Sequence, residues 1–240
     1  MNLLWDQEVP YIPLFGFHYF LYITAMLLLL LLMIRRRKFV RRKSETVRKW
    51  LLLIAVAQQI LLYSWYIFET GFDISDALPL HISRISSLLG IVFLLTKKHS
   101  TMDLLFYFGL YAYGSFFYPS RVYPAYHALG MSFFINHALT ILLPIFAALA
   151  YDWRPSFIGL IKSYGWFLLY FVFVYFLNPL IDGNYFYLKH RPFFGHWPDN
   201  LYVPVVLIFT FAIFLIGYGT ARFLDRQVSH GIKRSSRRLK

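Results

Sequence analysis

The sequence has 240 residues, of which 59% are hydrophobic, 21% aromatic and 15% charged. A soluble domain carries about a quarter charged residues, so this composition points away from one. The absence of cysteine excludes a disulfide framework, a thiolate metal site and a cysteine nucleophile. A formal net charge of +13 raises nucleic-acid binding as a class, and the placement of the charges argues against it.

Apolar stretches recur along the chain at 14–34, 50–68, 78–96, 103–118, 129–150, 157–178 and 201–221. Roughly 20 apolar residues cross a bilayer as a helix. The expected fold is therefore an all-α, polytopic membrane bundle of seven transmembrane helices, one domain over 1–221. A basic loop at 35–49 interrupts it and a basic tail at 222–240 follows it. The first stretch is too long for a signal peptide, has no small-residue cleavage site after it, and precedes its basic cluster, so it reads as a retained helix. The fourth stretch is the shortest and is expected to be tilted or partly re-entrant.

The cations fall in alternate connections. Arg35, Arg36, Arg37, Lys38, Arg41, Arg42, Lys43, Arg48 and Lys49 fill the first, Lys97 and Lys98 the third, and Arg154 and Lys162 flank the fifth. Arg222, Arg226, Lys233, Arg234, Arg237, Arg238 and Lys240 form the tail. The opposite side carries Asp6, Glu8, Glu69, Asp73, Asp76, Asp182 and Asp199, with Arg121, Lys189 and Arg191 as its cations. The positive-inside rule then puts the N-terminus outside and the C-terminus in the cytoplasm. The basic loop and tail read as topology signals that also meet anionic lipid headgroups, not as a nucleic-acid surface.

Polar residues gather in the outer halves of the stretches. The run PLHISRISSL at 79–88 places His81, Ser83, Arg84, Ser86 and Ser87 where leucine is expected. At 1.5 Å per residue, His81, Ser83 and Arg84 lie roughly 5 to 10 Å into the hydrocarbon, and His137, preceded by Asn136, about 10 Å deep. Gln58 and Gln59 lie near the middle of the second stretch, followed by Tyr63, Trp65 and Tyr66. The sixth connection, GNYFYLKHRPFFGHWPDN at 183–200, is long and aromatic. An intramembrane charge is costly unless paired and so marks a candidate site. Residues two apart point nearly opposite ways around a helix, so His81 cannot readily serve Ser83; His81 and Arg84 share a face, as do Ser83 and Ser87. A base for Ser83 must come from another helix, and His137 lies at a suitable depth. Arg84 needs an acidic partner, a phosphate or water, and Asp73 or Asp76 could reach it. Each polar group also has a plainer reading: serines and glutamines as interhelical glue, histidines as satisfied interior groups, the aromatic connection as an interfacial belt. No HExxH or other convincing metal pattern occurs.

The elements PLHIS at 79–83, FFINH at 133–137, SYGW at 163–166 and GNYFYL at 183–188 resemble, in this order, those of the YwaF-like bacterial integral membrane proteins. The resemblance covers roughly residues 50 to 220. That family is similar to the eukaryotic transmembrane-protein-164 acyltransferases, which move fatty acyl chains between phospholipids. The resemblance implies an acyl-transfer site in which Ser83 stands where the relatives carry a cysteine and His137 matches the fifth-helix histidine. Serine is less acidic than cysteine and depends more on its base. The implied roles are Ser83 as nucleophile, His137 as base, His81 and Asn136 as orienting groups and Arg84 as holder of a phosphate or oxyanion. Asn184, Tyr185 and Gln59 would line the substrate pocket. No cofactor and no metal is called for; the partners are membrane lipids, with a protein partner left open, and the place is a bacterial plasma membrane. The alternative is a non-enzymatic protein, a small-solute or lipid carrier, a partner subunit or a heptahelical receptor, using the same pocket for binding.

Overall fold

Each apolar stretch folds as a helix, and the basic stretch folds with them. The computed structural model describes residues 3–191 and 193–237, with side chains described as far as residue 226. The elements are α1 (Phe17–Arg35), α2 (Arg37–Arg42), α3 (Ser44–Thr70), α4 (Ile82–Thr96), α5 (His99–Phe117), α6 (Ala128–Ala150), α7 (Phe157–Ile181) and α8 (Asp199–Arg237), with a 3-10 turn at Tyr185–Tyr187. Among the described residues there is no strand.

Two boundaries differ from expectation. The 35–49 segment is not an open loop: it forms α2 and the first turns of α3, with Val40 buried against α6. Arginine and lysine are good helix formers, and a short helix lets their stems cover apolar surface while the charges stay in water. The third stretch becomes helical at Ile82, not at residue 78, because Pro79 disfavours helical backbone at Leu78 and His81 sits extended as the N-cap (φ −67°, ψ 137°). Of the expected basic tail, Arg222 and Arg226 have described side chains; the side chains of Lys233, Arg234 and Arg237, and all of Arg238 and Lys240, lie outside the described residues.

Five helices, α1, α3, α6, α7 and α8, are long and apolar enough to cross a membrane; α4 is a shorter apolar helix of 15 residues. His99 and Asp103 in its first turns, with three tyrosines and two glycines further on, dilute α5. The chain reverses at each connection. At one end, Trp65 Nε1 donates to the carbonyl of Trp5 at 2.7 Å, Gln7 Nε2 to that of Glu69 at 2.6 Å, Tyr123 OH to that of Gln7 at 3.2 Å, and Tyr185 OH to that of Ile74 at 2.7 Å. This acidic end gathers the N-terminal segment and the α3–α4, α5–α6 and α7–α8 connections. At the other, basic end, Glu45 binds Lys97 at 2.7 Å and accepts from Tyr151 at 3.1 Å, and Arg154 meets Asp225 at 2.7 Å.

The core sits around α6, which packs on α3, α4 and α5 and carries the largest buried share of any long helix. Small residues set the spacing: a Cβ on Gly90 would come within 2.9 Å of Leu143 Cδ1, and one on Gly109 within 2.7 Å of Thr140 Cγ2. The faces of α1, α7 and α8 away from the core expose Leu28, Leu32, Leu169, Phe176, Ile208 and Ile216 among many large apolar side chains. Apolar patches of this extent are suited to lipid and not to water.

Candidate site at the acidic end

The α3–α4 connection is built around one arginine. α3 ends at Gly71 in the left-handed conformation (φ 62°), the position glycine adopts without strain. Asp73 then holds the turn through the N–H of Ser75 at 2.9 Å and, with its backbone oxygen, that of Ala77 at 2.7 Å. Arg84, in the first turn of α4, points back into this loop. Its guanidinium donates to the carbonyls of Asp76 and of Leu78, the latter at 3.0 Å, and to the hydroxyl of Tyr66, whose ring it covers at 4.7 Å. Asp76 closes the circuit: its carboxylate accepts from Tyr66 OH at 2.5 Å and meets His81 Nε2 at 2.7 Å, with Arg84 3.6 Å away. Burial acts to raise the Asp76 pKa, but the His81 bond, the Arg84 charge and the Tyr66 hydroxyl outweigh it and hold the carboxyl well below the usual carboxylate range. Arg84 is thus answered by protein groups, with Asp76 its acidic partner. Tyr66, noted in the sequence only as one of the aromatics after Gln59, was not paired with Arg84 there; it lies on α3, 18 residues away.

Tyr185 ties the opposite loop to this cluster. It is fully buried, its hydroxyl donates to Ile74 O at 2.7 Å and accepts from Leu78 N at 3.0 Å, and its ring lies 5.0 Å from that of His81. Asn178 on α7 fixes it by bonding both its N–H and its carbonyl, at 3.0 and 2.9 Å.

Deeper in the bundle a polar layer joins α3, α4 and α6. Gln58 Nε2 donates to Ser132 Oγ at 2.8 Å, Gln59 Nε2 donates to Ser87 Oγ at 2.8 Å and to Gln58 Oε1 at 2.6 Å, and Ser87 Oγ donates to Gln58 Oε1 at 3.2 Å. One turn along α6 from Ser132, Asn136 Nδ2 donates to the backbone oxygen of Ser83, one turn before Ser87 on α4, at 3.2 Å. The oxygens Gln59 Oε1 and Asn136 Oδ1 are buried and have no hydrogen-bond partner among the described residues. His137, the next residue on α6, bonds Phe133 O through Nδ1 at 2.8 Å and packs between Phe133 and Phe116. A ring that donates through Nδ1 to a carbonyl presents Nε2 as an acceptor. The Ser83 hydroxyl is half-buried and makes no hydrogen bond among the described residues.

A separate cavity of about 440 Å³ opens at the same end, lined by Ser120, Arg121, Asn184, Lys189, His190 and Arg191 with Tyr187 and Gly195. Of the sequence candidates, then, His81 and Arg84 converge on Asp76, with Tyr185 beside His81; Ser83, Asn136 and Gln59 belong to the interhelical layer, with His137 beside it; and Asn184 lines the cavity. Among the described residues no three His, Asp or Glu side chains group as metal ligands.

A sequence model described as the TMEM164 family matches residues 14–218. No curated protein and no solved structure matches the chain.

Proposed function

The chain belongs to the TMEM164 family, and from that premise we propose that it is a multi-pass membrane acyltransferase or lipase acting on a phospholipid or lipid-linked substrate. All seven helices of 15 residues or more cross the bilayer in this reading, α4 and α5 included, because that pair carries the chain from the acidic end to the basic end and back between the membrane-length α3 and α6. The basic end faces the cytoplasm of a bacterial plasma membrane, where α2 and the flanking cations meet anionic headgroups, and the acidic end faces out.

The observation that carries the reading is the bond from Asn136 to the Ser83 carbonyl, which clamps the turn bearing His137 against the turn bearing the serine. The Ser83 Oγ attacks the ester carbonyl carbon while His137 Nε2 takes its proton. The tetrahedral intermediate collapses, the ester C–O bond breaks, and the leaving hydroxyl takes the proton back from His137. A second lipid hydroxyl, or water, then attacks the acyl-serine by the same route and frees Ser83. Arg84, held by Asp76 and Tyr66, positions the start of α4, its charge being taken up by these partners; His81 orients Asp76, and Gln59 braces Ser87. Asn184 lines the mouth, and the buried Tyr185 supports the α3–α4 connection beside it.

Intact-mass spectrometry of the detergent-purified protein tests this. A fatty-acyl adduct is expected in the wild type, absent in Ser83→Ala and longer-lived in His137→Ala. Undiminished acyl transfer from a labelled phospholipid by Ser83→Ala overturns the reading. One observation favours a second reading, a non-enzymatic lipid carrier or partner subunit: the Ser83 hydroxyl has no base bonded to it among the described residues.

A further inference from the structure

The acidic end gathers Asp6, Glu8, Glu69, Asp73, Asp76, Asp182 and Asp199, yet the three Lys/Arg residues of its connecting segments converge on one place. Arg121 arrives from the α5–α6 connection and Lys189 and Arg191 from the α7–α8 connection, some 70 residues on, and all three line the cavity of about 440 Å³. Their charges are not equally free. Lys189 Nζ is on Asp182 at 2.5 Å, and Arg191 is fixed by Asp199, by the carbonyls of Leu188 and Trp197, and over the ring of Tyr202 at 4.0 Å. Arg121 has no acceptor among the described residues, and it is exposed on a left-handed backbone (φ 53°).

The neutral donors are arranged to match. Asn184 Oδ1 accepts from the N–H groups of Lys189 at 3.0 Å and His190 at 2.9 Å. That use of the oxygen leaves the amide Nδ2 as the half with hydrogens to give. The Ser120 hydroxyl and the His190 ring also line the space. Two of three cations being offset by carboxylates, the surplus is about one positive charge with several donors around it. This suits a monoanion with several acceptor oxygens better than a dianion or a neutral sugar. Close in sequence to the lining residues stand the exposed Tyr118 and Phe193, 5.7 Å apart, and the exposed Phe194, stacked on the partly buried Trp197 at 4.2 Å. Such rings settle at headgroup depth.

We propose that this cavity binds the phosphodiester of a glycerophospholipid headgroup, with Arg121 supplying the charge and Asn184, Ser120 and His190 further donors. The site rests on the membrane placement above and not on acyl transfer by Ser83. It lies against that chemistry all the same, since Tyr187 of its wall packs 6.0 Å from the ring of His81.

The test is a native mass-spectrometry titration of the full chain in detergent with short-chain phosphatidylglycerol, the matching diacylglycerol and inorganic phosphate. Arg121→Asn removes the charge with a residue that accepts the left-handed backbone, and Arg121→Lys keeps it. A charge-assisted bond to phosphate is worth about 1.5–3 kcal/mol, so Arg121→Asn weakens phosphatidylglycerol binding by about tenfold or more. Arg121→Lys restores most of it, and diacylglycerol binding ignores both. Asn184→Asp, which keeps the bonds to Lys189 and His190 and adds a negative charge, gives the same loss by a second route. Equal phosphatidylglycerol binding by wild type, Arg121→Asn and Asn184→Asp overturns the proposal. Displacement of the lipid by inorganic phosphate at equal concentration overturns the lipid assignment and makes this a site for free phosphate.

Discussion

The side chain of Asn136 on α6 donates to the backbone oxygen of Ser83 on α4 at 3.2 Å. A helical carbonyl at that position ordinarily serves the N–H four residues on, so the asparagine adds a second donor and fixes the register of two helices. The proposed base is the neighbouring residue, so this register sets the distance between nucleophile and base. Asn136→Leu keeps the volume and removes the donor. Acyl transfer from a labelled phospholipid is expected to fall by at least about tenfold, because a misplacement of about 1 Å costs up to about a hundredfold. Interhelical hydrogen bonds in membranes average only about 0.6 kcal/mol, so the melting temperature should move little. Transfer at the wild-type rate would remove Asn136 from the site.

Arg84 and Asp76 bind each other, but they are not equal partners. The arginine side chain is 9% exposed and the aspartate 55%. Arg84→Ala strips the donors from two carbonyls and a tyrosine hydroxyl in a buried place, and should cost about 3 kcal/mol. Asp76→Asn removes a half-exposed charge whose field water screens, and should cost about 1 kcal/mol or less. Denaturation of the two variants in the same detergent decides it, and equal losses would contradict this division.

The depressed Asp76 carboxyl also gives a pH dependence of defined sign. A carboxyl whose folded pKa lies below its unfolded value stabilises the fold while ionised. The contribution is whole above the ordinary value of about 4 and drains away as pH falls below it toward the folded value. The melting temperature of the wild type is expected to drop more steeply than that of Asp76→Asn between pH 5 and pH 3. Parallel curves would show that the His81 and Arg84 contacts do not hold the ionised form.

The Gln58 side chain binds Ser132 on α6 and accepts from Gln59 and Ser87 at once. Gln58→Leu leaves three polar groups without it, and about 1–2 kcal/mol of stability should go. Hydrogen exchange in α3 and α4 should quicken with it. Unchanged stability would place the glutamine pair outside the packing of these helices.

What could be read in the chain was whatever repeats at helical period or runs to membrane length. Helices at the apolar stretches follow from apolar length, five of them long enough to cross a membrane, and the shared face of His81 and Arg84 is visible in their both meeting Asp76. The partnership of Ser87 with the glutamines was readable only as glue of unspecified address, because periodicity names a face and not the neighbour it meets. For the same reason Tyr66 was missed as a ligand of Arg84, and Tyr185, 107 residues from Leu78, was placed at a mouth and not beneath a loop. The convergence of Arg121 with Lys189 and Arg191 had no local signal either: each is an ordinary loop cation until the fold folds two connections together. The helical form of the basic connection had no reading in the sequence because charge was weighed there above helix propensity.

Gly130 tests the packing that holds the acidic end together. It lies in the first turn of α6, directly beneath the α5–α6 connection and α1. A Cβ built there would fall 1.9 Å from the backbone oxygen of Pro124, 2.7 Å from that of Tyr123 and 2.7 Å from the hydroxyl of Tyr22. The first two are main-chain atoms and cannot rotate away. The third is already committed, since Tyr22 OH donates to Tyr123 O at 3.0 Å. Gly130→Ala must therefore lift the connection off α6, breaking the Tyr22 bond and the His127 cap with it. Helix propensity alone would favour alanine by about 1 kcal/mol, so a loss opposes the local preference and reports the clash. The expected result is a loss of at least about 3 kcal/mol, at the upper end of overpacking costs, or failure to accumulate in the membrane. Gly114→Ala, where nothing lies within 4 Å, serves as the control and should be neutral or stabilising. A Gly130→Ala protein as stable as the Gly114→Ala protein would show that the α5–α6 connection does not sit on α6 as described.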